Sequence, residues 1–112
     1  MSMQDCIFCE IVKGEIPKDF RFKDENVLAF DDIHPVAKVH VLFISREHYN
    51  AFENLHDDDV MSSMRKGIQK IVEETGLVGK GYKVLTNGGG GQVINHLHFH
   101  LIGPTGLNAP IK

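Results

Sequence analysis

Residues 96 to 102 read His96-Leu97-His98-Phe99-His100-Leu101-Ile102, with imidazole and apolar side chains in strict alternation. In a β-strand, residues i, i+2 and i+4 share a face, so this spacing predicts three imidazoles on one side, successive ones ~7 Å apart. Leu97, Phe99 and Leu101 then turn toward a core. A lone histidine on such a strand most often makes one structural hydrogen bond. Three in alternation would each need a buried partner under that reading, and metal ligation or catalysis explains them more simply. The strand is expected to cover residues 94–102 and to be closed by Gly103-Pro104. The chain holds seven histidines in 112 residues, a surplus of the side chain that titrates near neutrality.

The residues just before this strand point to a ligand. Asn87 is followed by four glycines, Gly88 to Gly91, and then by Gln92. A glycine run alone is usually only flexible. Between two strands and ahead of a histidine face, it can also aim several backbone N–H groups at one point, a nest suited to phosphate. Asn87 and Gln92 would add neutral donors. A nucleophilic imidazole beside a phosphate cradle describes nucleotidyl or phosphoryl transfer through a histidine intermediate.

Farther out, the pattern predicts one long helix among strands. Asp57 suits a helix N-cap, Asp58 and Asp59 suit its positive start, and Gly76 suits its stop. Between them Val60, Met64, Ile68 and Val72 form an apolar stripe that Met61 and Ile71 widen, which is most simply core packing. Ile7, Phe8, Ile11 and Val12 give a short helix ended by Gly14. Residues 21–22 and 27–30 flank Asp24-Glu25-Asn26 as a hairpin. Residues 39–44, apolar except for His40, read as a strand buried on both faces. A further strand is expected at 82–86. Strands around one long helix favour an α+β fold over a doubly wound one.

Composition bounds the function. The length suits a single domain over 1–112, with residues 105–112 as a loose tail. Lys plus Arg number 12 against 15 Asp plus Glu, a net charge of −3, so the basic excess needed for non-specific nucleic-acid or anionic-membrane binding is missing. No apolar run reaches the ~20 residues of a membrane span. The N-terminus has no signal-peptide pattern, and two cysteines build no disulfide scaffold. The expectation is a cytoplasmic protein with neither nucleic-acid nor membrane partners.

The stretch 96–102 resembles the signature of the histidine-triad (HIT) family, His-φ-His-φ-His-φ-φ. Cys6-Ile7-Phe8-Cys9, Ala29-Phe30-Asp31-Asp32-Ile33 and Val39-His40-Val41 extend the resemblance over nearly the whole chain. Gly103 after the triad is similar to the Hint branch, the purine nucleoside phosphoramidases. The resemblance implies an α+β fold with a five-stranded antiparallel sheet, one long and one short helix, and a homodimer whose sheets join. It implies hydrolysis of a purine nucleoside 5′-phosphoramidate, an AMP–amine or AMP–lysine conjugate, with no catalytic cofactor. His98 would be the nucleophile, with His100 and His40 contacting phosphate and orienting it. Asn87, Gly91 and Gln92 would sit on the phosphate side. Asp32 would accept both ribose hydroxyls, and Ile7, Phe8, Ile11, Phe30 and Ile33 would wall the purine slot; taken singly, these apolar residues also read as ordinary core. Cys6 and Cys9 would complete a structural Cys2His2 zinc site with His48 and His96. Without the resemblance, one Cys-x-x-Cys equally reads as two buried thiols or a redox pair.

Other functions stay open on the sequence. The same nucleophile serves a dinucleoside polyphosphate hydrolase. His-x-His plus a third histidine is also a catalytic zinc set, and a catalytically weak nucleotide-binding partner protein would keep the cleft without turnover. The chain departs from the Hint pattern at Val93, where a hydroxyl or Glu is usual, at Asn95, where an aromatic is usual, and in a glycine loop about two residues shorter. It also lacks tryptophan in its tail. These departures bear on leaving-group handling and rate.

Overall fold

In a computed structural model describing residues 6–107, helix α1 (Ile7–Lys13) leads into the hairpin β1 (Phe20–Lys23) and β2 (Val27–Asp31). Strand β3 (Val39–Ser45), a single 3-10 turn at Phe52–Asn54, helix α2 (Asp58–Glu74), β4 (Lys83–Leu85) and β5 (His98–Gly103) follow. The five strands form one sheet in the order β1-β2-β3-β5-β4, antiparallel at every pairing. This is the α+β architecture expected, with one short and one long helix.

Local chemistry sets the boundaries. Cys6 caps α1, its Sγ accepting from the Cys9 amide, and Gly14 ends the helix at φ 83°, a left-handed conformation that glycine adopts without a Cβ penalty. In the β1–β2 turn, Asp24 Oδ1 accepts from the amides of Asn26 and Val27, both at 2.8 Å. Asp57 caps α2 by accepting from the Asp59 amide at 2.9 Å. The region expected to be loose begins tied down: the Thr105 amide donates to Gly81 O at 2.9 Å and that of Gly106 to Lys80 O at 3.0 Å. Residues 108–112 lie outside the described residues. Among those described, no helix is long and apolar enough to cross a membrane.

The sheet is covered on both faces. Val27, Ala29, Val41, Phe43 and Leu101 pack under α2 against Met64, Ile71 and Val72. Leu28, Phe30, Leu42 and Ile44 meet Phe8, Cys9 and Ile11 of α1 on the other side. Period-two alternation in β3 and β5 thus divides the core between two helices. The register places His40 opposite Ile102, Leu42 opposite His100 and Ile44 opposite His98, so the histidines share the α1 face.

β5 is shorter than the expected strand at 94–102. The His96 amide donates back to Ile94 O at 2.9 Å and the Leu97 amide to Tyr49 O at 2.7 Å, so the chain bends through 94–97 and enters the ladder only at His98. The helix packing has one tight point. A Cβ on Gly67 would lie 2.8 Å from the Phe22 ring. Gly67→Val is expected to lower stability by about 2 kcal/mol through overpacking, measured by urea unfolding; an unchanged midpoint would show that Phe22 yields freely.

Candidate active site

His98 is buried at the start of β5, 7% exposed. Its Nδ1–H donates to the carbonyl of His96 at 2.7 Å, which assigns the proton to Nδ1 and leaves the Nε2 lone pair free. Burial is the main cause holding its pKa below the ordinary value, so the ring is neutral at pH 7. A neutral, oriented imidazole with a free lone pair is a competent nucleophile.

His40 and His100 form a chain beside it. The Val36 amide donates to His40 Nδ1 at 3.2 Å, so His40 carries its proton on Nε2, 2.9 Å from His100 Nδ1. His100 then keeps its Nε2–H for a ligand. Burial, reinforced by His98 and His40, takes the His100 pKa down to about 4, which keeps it a neutral donor. Asp32 Oδ2 lies 3.4 Å from His40 Nε2, and Asp32 Oδ1 accepts from the His34 amide at 2.8 Å.

Asp32, His40 and His100 bring ligand atoms within 4.8 Å of one another, which bears on the catalytic-zinc reading. A cation on His40 Nε2 would move that ring's proton to Nδ1, where it would face the Val36 N–H, donor against donor. The hydrogen bonds therefore fit a proton-ordered chain better than a metal site.

A cleft of about 540 Å³ opens onto these groups. Of the residues expected at a nucleotide site, Ile7, Phe8, Ile11, Phe30, Asp32, Ile33 and Asn87 line it with His40, His98 and His100. Phe8 packs edge-on to Phe30, ring centroids 6.1 Å apart, and to His98 at 5.1 Å. Ile33 is 73% exposed, too open for a core residue. Sequence reasoning missed Lys18, whose Nζ sits 5.2 Å over the Phe30 ring, and the apolar rim residue Val36. Val36 lies in the loop between Asp32 and His40, three residues after the expected wall residue Ile33, and that proximity was the available signal. Val93, noted only as a departure, also lines the cleft and is 99% exposed.

Gly91 and Gln92 are not among the cleft walls. The Gly91 amide donates to Gly88 O at 2.9 Å and the Gly90 amide to Gln92 Oε1 at 3.1 Å. Two donors of the expected nest are thus engaged within the loop. The Gln92 side-chain amide donates to Asn50 O at 2.8 Å.

Behind His98 lies a second cluster, Cys6, Cys9, His48 and His96, with four ligand atoms within 4.8 Å of one another. Cys6 Sγ is 3.2 Å from His96 Nδ1; Cys9 Sγ is 3.2 Å from His48 Nδ1 and 3.5 Å from His96 Nδ1. Tetrahedral zinc, with bonds of about 2.0–2.3 Å, spaces its ligands roughly 3.3–3.8 Å apart. Both imidazoles are oriented from behind, His96 Nε2–H donating to Ser45 O at 2.7 Å and His48 Nε2–H to Asn50 Oδ1 at 2.9 Å. That turns both Nδ1 lone pairs inward, as metal-bound histidine requires. Burial raises the Cys9 thiol to about 11, the reverse of a reactive redox cysteine. The residues fit a structural zinc ion.

The HIT domain family model matches residues 13–107. An uncharacterized HIT-like protein of Methanocaldococcus jannaschii is 44% identical over 100 residues, covering 87% of this chain and 77% of its own. An adenosine 5′-monophosphoramidase of Candida albicans is 40% identical over 108 residues, covering 90% of this chain and 71% of its own. The structure is similar to a HIT family hydrolase from Clostridium thermocellum, with TM-score 0.86 and 36% identity over 99% of this chain and 98% of that one.

Proposed function

The chain belongs to the HIT family, and we propose that it is a hydrolase of purine nucleoside 5′-phosphoramidates acting through a nucleotidyl-His98 intermediate. The observation that carries this is the 2.7 Å bond from His98 Nδ1 to His96 O, which presents Nε2 to a cleft walled by Phe8, Phe30 and Ile11. The phosphoramidase activity of the Candida albicans relative supports the choice of substrate.

His98 Nε2 forms a bond to the α-phosphorus while the P–N bond to the amine breaks, and the amine leaves with one proton taken up. Charge developing on His98 is met by the His96 carbonyl at Nδ1. Water then forms a P–O bond, the P–N bond to His98 breaks, the proton is released, and AMP departs. His100 Nε2–H, oriented through His40, donates to the phosphate. The purine lies between the apolar walls, and the Asp32 carboxylate, whose Oδ1 accepts the His34 amide, takes the ribose hydroxyls on its remaining lone pairs. The test is release of a fluorescent amine from an adenosine 5′-phosphoramidate, with and without chelator. AMP binding without amine release overturns the hydrolase reading; faster turnover of a dinucleoside polyphosphate overturns the substrate.

Two further parts of the reading concern assembly. Zinc is held by Cys6, Cys9, His48 and His96, away from the reacting atoms. The chain pairs with a second copy along β4, an edge strand whose Val84 is 41% exposed beside an apolar hollow lined by Met61, Met64, Ile68 and Phe99. Exposed edges of this kind invite strand pairing. Val84→Lys is expected to convert a dimer to a monomer by light scattering; a monomeric wild type would sink the pairing.

A further inference from the structure

The glycine loop and the cysteine–histidine cluster share one neighbour. Asn50 accepts His48 Nε2–H on its side-chain oxygen at 2.9 Å and the Gln92 amide on its backbone carbonyl at 2.8 Å. Gln92 in turn accepts the Gly90 N–H at 3.1 Å. The same segment walls the loop: a side chain on Gly88 would meet Glu53 Oε1 at 3.1 Å, Ala51 Cβ at 3.8 Å and the Phe52 amide nitrogen at 3.9 Å. Gly89 and Gly90 stand at φ 62° and 92°, conformations open to glycine but not enforced by it. The loop's shape therefore rests on its own Gly91–Gly88 bond together with the tie to Asn50 from outside.

We propose that Asn50 is a positioning residue that couples the metal cluster to the glycine loop, so that zinc affinity and loop order rise and fall together. The inference rests on the zinc part of the proposed reading and not on the identity of the substrate. A cation at His48 Nδ1 makes Nε2–H a stronger donor, which fixes Asn50 and hence the carbonyl it offers Gln92. Coupling between two sites is reciprocal. Loosening the loop at Gln92 must then weaken a metal that Gln92 does not touch.

The experiment is a double-mutant cycle on zinc-loaded protein. It reads zinc affinity by competition with a chromogenic chelator, and loop order by amide hydrogen exchange at Gly88–Gly91. Asn50 is exposed, so its variants are expected to fold. Asn50→Ala should weaken zinc binding about tenfold and speed loop exchange about fivefold. Gln92→Ala should weaken zinc about fivefold, and the double variant should be no weaker than Asn50→Ala. Asn50→Asp, which keeps an acceptor for His48, should restore both readouts. An unchanged zinc affinity in Gln92→Ala, effects that simply add, or a wild type that takes up no zinc would each overturn the coupling. None of these readouts needs a substrate. A chain that shows the coupling but hydrolyses no phosphoramidate would sink the substrate reading and leave this one standing.

Discussion

His98→Asn is expected to cut amine release from an adenosine 5′-phosphoramidate by a factor of about 10⁴ or more, while AMP still binds within a few-fold of wild type. Asparagine approximates the near half of the ring, and its side-chain amide can still donate to His96 O. It carries no lone pair able to form a P–N bond. The loss should fall on kcat rather than KM, because the interaction removed forms only during the reaction. Steady-state kinetics and calorimetric AMP titration separate the two. Quenched single turnovers of wild type should show protein carrying a covalent nucleotide, and His98→Asn should show none. Turnover above about one per cent of wild type in His98→Asn would mean that His98 is not the nucleophile, since removing a covalent catalyst costs orders of magnitude more than removing a positioning contact.

Much of the frame was legible because short-range chemistry dictates it. Asp57 caps α2 by accepting a backbone N–H, as its residue type and place predict. The buried face was less so. Val60, Met64 and Val72 of the four-residue stripe are buried, and so is Ile71 beside them. Ile68 is only half-buried, and the small residues Ser63 and Gly67 are buried in the stripe. Neither reads as hydrophobic. Ser63 is buried because Asn26 donates to its hydroxyl at 3.0 Å, and Gly67 because Phe22 presses against it.

Alternation likewise revealed the common face of the histidines but not where the strand begins. His96, His98 and His100 do lie on one side, with Phe8 edge-on to His96 and His98. The ladder stops at His98, since His96 is drawn toward two cysteines about ninety positions earlier in the chain. Contacts that distant leave no periodic trace. The tie of Gln92 to Asn50 O was illegible for a related reason: the two residues lie 42 positions apart in the chain.

Chelating zinc is expected to lower the melting temperature by at least about 10 °C, and Cys9→Ser should melt at the lower temperature with or without added zinc. Helix α1 has seven residues, too few to be stable alone. It is fastened by Phe8 and Ile11 in the core and by Cys6 and Cys9, which meet His48 beyond β3 and His96 before β5. An ion on these four ligands ties three separated stretches of chain in the folded state. At a free concentration of a thousand times its Kd it stabilises by about 4 kcal/mol. For a domain of this size each kcal/mol moves the melting temperature by roughly 4 °C or more. Without the ion, α1 loosens, and with it the wall formed by Ile7, Phe8 and Ile11, so AMP affinity should fall in Cys9→Ser even though Cys9 does not line the cleft. Calorimetry, zinc stoichiometry and AMP titration on the same samples decide the matter. One zinc per wild-type chain, a lowered melting temperature and weakened AMP binding in Cys9→Ser are the results expected. An equal melting temperature with and without chelator would mean that two buried thiols and two imidazoles hold α1 through their own hydrogen bonds.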